Sequence, residues 1–142
     1  MMIEKLVIAM PMMLALAVVL VGCGSSGVSD PLDGTQWVLS SVNGGSPLEG
    51  VEVTLAFDDG QASGYTGCNS YSAAYAVEGE GGLAFSEIAI TERGCLEPEG
   101  IMEQEAQYIN AVRAATGFRL SDEELEISTA RGEVLIYGAV GD

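Results

Sequence analysis

Carboxylates, three cysteines and a few amides and phenols are the only side chains here whose types could do chemistry, because histidine is absent from all 142 residues. Without an imidazole, serine–histidine and cysteine–histidine nucleophilic schemes and most zinc sites are excluded. The densest cluster is Gly64-Tyr65-Thr66-Gly67-Cys68-Asn69-Ser70-Tyr71, with two glycines, a cysteine, an asparagine and two tyrosines. It lies between segments that alternate like strands, so it reads as a tight turn with a covalent tie. Asn69 has a local use, bonding nearby backbone groups to hold the turn after Cys68. Tyr65, Asn69 and Tyr71 together are the candidate recognition surface, although core packing explains the two tyrosines as well. No catalytic group, metal site or cofactor site is singled out. Glu78 to Gly82 is glycine-rich but lacks the lysine and following helix of a phosphate loop. Asp58-Asp59-Gly60 is turn chemistry, without the spaced oxygen ligands of a calcium loop.

The cysteine count depends on the first residues. Residues 1–22 hold Lys5 as their only basic residue and then an apolar run from Leu6 to Leu20, interrupted by Pro11. The run is shorter than the roughly 20 residues a spanning helix needs, so it reads as a signal-peptide core. Leu20-Val21-Gly22-Cys23 has the form of a lipoprotein cleavage box, after which Cys23 would become the acylated N-terminus. An ordinary signal peptide with an incidental cysteine is the alternative. Residues 23–32 then form a flexible lipid tether and residues 33–142 the domain. Two cysteines, Cys68 and Cys95, are left in an oxidising compartment, where a disulfide is the default. Joining residues 27 apart constrains the unfolded chain by roughly 3–4 kcal/mol.

Charge bounds the partners. Setting Glu4 and Lys5 aside with the leader leaves 20 acidic residues against Arg93, Arg113, Arg119 and Arg131. A surface of that sign repels nucleic acid and gives no basic patch for anionic lipid. It serves solubility or a saline habitat, or else a basic protein partner. The expected membrane contact is through acyl chains alone, with a monomer as the default state.

The elements that position the cluster are short and alternating. Gly34 to Ser40 opens the fold with Trp37 as a core anchor. Val51 to Phe57, Gln61 to Thr66, Tyr71 to Val77, and Leu83 to Phe85 continuing after a bend through Ile88 to Thr91 follow as strands. The one helix has Pro98 in its first turn and Gly117 as its stop. Its stripe is Ile101, Met102, Glu105, Tyr108, Ile109 and Val112, with Tyr108 on the sheet or at its wet edge. Phe118 to Leu120, Glu124 to Ser128 and Val134 to Tyr137 complete the set. The expected class is mainly β (α+β): a curled or barrel-like antiparallel sheet of about seven to eight short strands with one helix packed on it.

Four motifs in order carry a family resemblance: Gly34-Thr35-x-Trp37-x-Leu39, Gly64-x-x-Gly67-Cys68-Asn69-x-Tyr71, Thr91-x-x-x-Cys95, and a Met102-Glu103-x-Glu105 helix. Over about residues 33–138 the chain resembles the META (HslJ-like) domain. That resemblance implies a compact antiparallel β fold with one helix, and marks Gly34, Trp37, Gly64, Gly67 and Thr91 as structural positions. It implies an exported or envelope-attached bacterial protein, associated with heat-shock response and in some members with antibiotic resistance, motility or virulence, and without an established enzymatic mechanism. The expected function is a non-catalytic, lipid-anchored envelope protein with a binding or accessory role in stress. Two alternatives are an inhibitor of a basic, lysozyme-like hydrolase that attacks the envelope, and a β-barrel carrier of a small ligand.

Overall fold

The computed structural model describes residue 22 and residues 29–141; residues 1–21 of the leader and Cys23 lie outside the described residues. Eight strands follow one another: β1 Gln36–Val42, β2 Thr54–Asp58, β3 Gln61–Tyr65, β4 Ser70–Glu78, β5 Gly82–Ile90, β6 Ala115–Leu120, β7 Glu124–Thr129 and β8 Val134–Ala139. Among the described residues a single helix, α1 Ile101–Arg113, joins β5 to β6. Each strand pairs antiparallel with its sequence neighbour, and β8 pairs back onto β1, so the sheet closes into a barrel without edges. Of the two expected forms, curled or barrel-like, the sheet takes the barrel.

Period-two alternation sets which side chains point inward. Trp37, Leu39, Leu55, Phe57, Tyr71, Tyr75, Leu125, Ile127, Leu135 and Tyr137 are all buried. Phe57 meets Tyr75 edge-on at 4.8 Å between ring centroids. Burying each such side chain is worth about 1.5–3 kcal/mol. The two ion pairs among the described residues, Arg119–Glu126 and Arg131–Glu133, are solvent-exposed and worth about 0–1 kcal/mol each. Core packing, not surface charge, holds this acidic barrel together.

Several boundaries differ from the sequence reading. Val51 to Val53 precede β2, which starts at Thr54, although Val53 is fully buried and its carbonyl accepts from the Leu39 amide at 2.8 Å. Pro98 stands before the helix instead of in its first turn, and its carbonyl accepts from the Ile101 amide at 3.1 Å. Gly117 does not stop the helix, which gives way at Ala114; it lies within β6, opposite Gly82 of β5. A side chain on Gly117 would come within 3.1 Å of the Gly81 carbonyl oxygen, so the glycine serves close strand approach. The expected bend in β5 is present at Glu87, whose φ is 53°. Leu32, expected in the tether, is fully buried, so the packed domain begins a few residues earlier.

The helix closes what the sheet leaves open. Strands β5 and β6 share one ladder pair, and beyond it the helix lies against β5. Its inward face carries Ile101, Tyr108, Ile109, Ala111 and Val112. Tyr108 reaches Tyr71 and Tyr137 inside the barrel, with hydroxyl oxygens 2.7 and 3.0 Å away. Tyr71 spends its one hydroxyl proton on the Thr54 carbonyl at 2.7 Å. Tyr108 must then donate to Tyr71, and Tyr137 to Tyr108, so all three buried hydroxyls are satisfied in one direction. Gly64 makes room for this chain: a Cβ there would sit 2.0 Å from the Thr54 carbonyl oxygen and 2.7 Å from the Tyr71 hydroxyl.

Burial, helped by neighbouring hydroxyls, pushes the Tyr71, Tyr108 and Tyr137 phenols well above their ordinary value. In the unfolded chain they ionise near pH ~10. Their stabilising contribution is therefore complete below about pH 10 and is lost above it, where the unfolded chain releases protons that the folded one retains. The slope is up to about 1.4 kcal/mol per pH unit for each tyrosine, or about 4 for the three. Alkaline titration followed by tyrosinate absorbance and circular dichroism should show these three ionising only as the barrel unfolds, in one coincident transition.

Candidate functional site

Asn69 occupies the β3–β4 turn and is 1% exposed. The turn is closed by the Thr66 amide donating to the Asn69 carbonyl at 2.8 Å. Gly67 within it has φ 96°, and a Cβ there would lie 2.3 Å from the Val51 side chain, so only glycine fits. Cys68 is fully buried and bonded to Cys95, with 6.0 Å between Cα atoms. The expected disulfide is present.

The Asn69 side chain does more than hold its own turn. Its Oδ1 accepts from the Arg93 amide at 2.7 Å and from the Thr91 hydroxyl at 2.8 Å. Its Nδ2 donates to the Arg93 carbonyl at 3.0 Å and to both carboxylate oxygens of Glu105 at 3.0 Å. Glu105 comes from the second turn of α1, is 8% exposed, and also accepts from the Thr66 hydroxyl. Thr66 in turn accepts from the Asn69 amide at 2.9 Å. One amide side chain thus joins the β3–β4 turn, the segment after β5, and the helix. A buried carboxylate persists only if its oxygens are bonded, and here the Thr66 and Asn69 donors bond them. Both Glu105 carboxylate oxygens are thereby engaged. A groove of about 260 Å³ between Ile90 and helix residues Met102, Ile109 and Arg113 reaches its side chain from outside.

The residues expected to form a recognition surface do not form one. Tyr65 is 41% exposed, whereas Asn69 and Tyr71 are buried at 1% and 4%. Tyr71 belongs to the hydroxyl chain inside the barrel and Asn69 to the clasp, because their polar atoms are needed for internal bonds. Trp37 is the expected core anchor, 4% exposed, its indole N–H donating to Thr35 Oγ1 at 2.8 Å. Thr91 caps the Ser70 amide through its hydroxyl at 3.1 Å. Gly34 takes φ 76° just before β1. Glu105 and Thr66 were not picked out as a site by the sequence reading. The available signal was a carboxylate on the inward stripe of the helix, in register with Ile101 and Tyr108. Among the described residues, no group of three or more His, Cys, Asp or Glu could hold a metal ion.

A closed eight-stranded antiparallel barrel, sealed by one helix and tied by a clasp at one end, is the class this geometry defines. The META domain model matches residues 30–140, and the chain belongs to the META domain family. No curated protein matches it. Among solved structures, it is similar to a Burkholderia xenovorans protein determined by NMR, at 27% identity over 78% of this chain and 85% of that one, with a TM-score of 0.63. A second protein solved by NMR is 23% identical over 76% of this chain and 91% of that one, with a TM-score of 0.61. A DUF4847 family protein from Bacteroides vulgatus, 11% identical over 82% and 99%, shares the fold at a TM-score of 0.59.

Replacing Asn69 with alanine would strand the Thr66–Glu105 pair and free the Arg93 backbone. Asn69→Ala should lower the unfolding free energy by roughly 2–4 kcal/mol, read from denaturant melts. Because Cys95 ties the same segment, its combination with Cys68→Ser/Cys95→Ser should be less than additive.

Proposed function

We propose that this protein is a lipid-anchored, non-catalytic component of a bacterial cell envelope that acts by binding, in an accessory role during envelope stress. The lipobox-like Leu20-Val21-Gly22-Cys23 carries the anchoring part of this reading. Acyl chains on Cys23, at about 0.8 kcal/mol per buried methylene, would hold the protein stably to a bilayer. Membership of the META family supports an envelope-type accessory domain.

Barrel geometry fits an anchored protein. The chain enters the domain beside the β2–β3 turn, where the Tyr75 hydroxyl donates to Asp30 and the Asp59 amide donates to Asp33. From that turn β3 runs Gln61–Tyr65, roughly 14 Å at strand rise, straight to the clasp. Entry and clasp therefore lie at opposite ends. The clasp, the helix N-terminus and the Thr91–Gly100 segment are thus at the end away from where the chain enters the domain. A carrier role finds less support, since Phe57, Tyr71, Tyr108 and Tyr137 occupy the interior.

Cell fractionation tests the anchor. The wild-type chain should sediment with membranes and yield an N-terminal peptide bearing acyl mass on Cys23. Cys23→Ser should move it to the soluble fraction with its fold intact; an unacylated Cys23 in membranes would refute the anchoring.

A further inference from the structure

Glu105 is the one buried charged side chain among the described residues, at 8% exposed. Its carboxylate has about four lone-pair sites and receives two protons. One comes from the Thr66 hydroxyl, the other from Asn69 Nδ2, whose remaining proton goes to the Arg93 carbonyl. Neither donor is charged. A glutamine carbonyl oxygen could accept two protons as well, without the cost of burying an anion. The clasp therefore accounts for a polar atom at this position and leaves its negative charge unexplained. No cation pairs with it among the described residues, where the ion pairs are Arg119–Glu126 and Arg131–Glu133.

The carboxylate is not sealed in. It forms part of the wall of the groove of about 260 Å³ between Ile90 and the helix, several times the space one water fills. Met102, Ala106 and Ile109 give that groove an apolar side, and Arg113 stands at its helix C-terminal end. Apolar walls with a few polar groups that fix orientation are the make-up of a small-ligand site. An anion without a counter-ion selects a cation, and its unfilled oxygen sites select one that carries N–H donors. The apolar side selects a body without further charge, and Arg113 repels a second cationic group. We propose that the groove between β5 and α1 binds a small primary amine, with its ammonium on Glu105 and its apolar body along Met102, Ala106 and Ile109. Such a site lies outside the barrel, so the aromatic-filled interior does not oppose it. This inference goes beyond membrane anchoring and depends neither on acylation of Cys23 nor on a role in stress.

The test titrates phenethylamine into the full-length protein in non-ionic detergent, followed by calorimetry and by NMR of the Asn69 side-chain amide. The amine should bind one to one, with a dissociation constant on the order of 1 mM or tighter, and shift the Asn69 Nδ2 resonances. Hydrocinnamate, an anion of the same size, should not bind, and cadaverine, with two ammonium groups, should bind at least roughly tenfold more weakly. Glu105→Gln should weaken the amine by roughly tenfold or more. Ala106→Trp, at an exposed position that leaves the clasp untouched, fills the groove and should abolish binding; it decides the matter if Glu105→Gln unfolds. Hydrocinnamate or cadaverine bound as tightly as phenethylamine would overturn the proposal. So would amine binding that survives Ala106→Trp, or a wild-type protein that binds no phenethylamine.

Discussion

The Asn69 side chain is the constraint on which the upper half of this barrel depends. Strands β3 and β5 carry the chain to an end where three unlike pieces must meet: a glycine turn, an irregular segment, and a helix start. None of these can satisfy its backbone through the ladder. Asn69 supplies an acceptor and a donor to Arg93 and a donor to Glu105, and Glu105 also accepts from the Thr66 hydroxyl. The disulfide at Cys68 then fixes covalently what the amide has already aligned. Removing the polar part would leave a buried carboxylate without its donors, which is costlier than losing a neutral bond.

The helix is the second dependency. Strands β5 and β6 share a single ladder pair, so the barrel would gape beside β5 without α1. Tyr108 seals that gap from within by joining Tyr71 and Tyr137, while Glu105, three residues earlier, docks the same helix onto the clasp. Two polar contacts on one helical face thus orient an element whose apolar stripe alone would allow it to slide. The result is a rigid end, turned away from where the chain enters, with an exposed loop mounted on it.

Much of this was legible in the sequence because it rests on local pattern. Alternation and the turns between segments marked seven to eight short strands, Asp58-Asp59-Gly60 marked the β2–β3 turn, and two cysteines left after Cys23 marked the disulfide. What was not legible depends on three-dimensional meeting. Asn69 looked like a turn residue, and its partners at Arg93 and Glu105 are 24 and 36 positions away. Tyr71 could have served a surface or the core, because nothing local says that Tyr108 and Tyr137 wait inside the barrel. Gly117 looked like a helix stop, although its work is to let β6 approach β5.

The central claim is that the segment after β5 is held by Asn69 as firmly as the strands are held by their ladders. Amide hydrogen exchange at Arg93 measures this directly. The account predicts that the Arg93 amide exchanges as slowly as barrel amides such as Tyr75, and that Asn69→Ala abolishes the protection while β4 keeps its own. Rapid exchange at Arg93 in the intact, disulfide-bonded protein would contradict it.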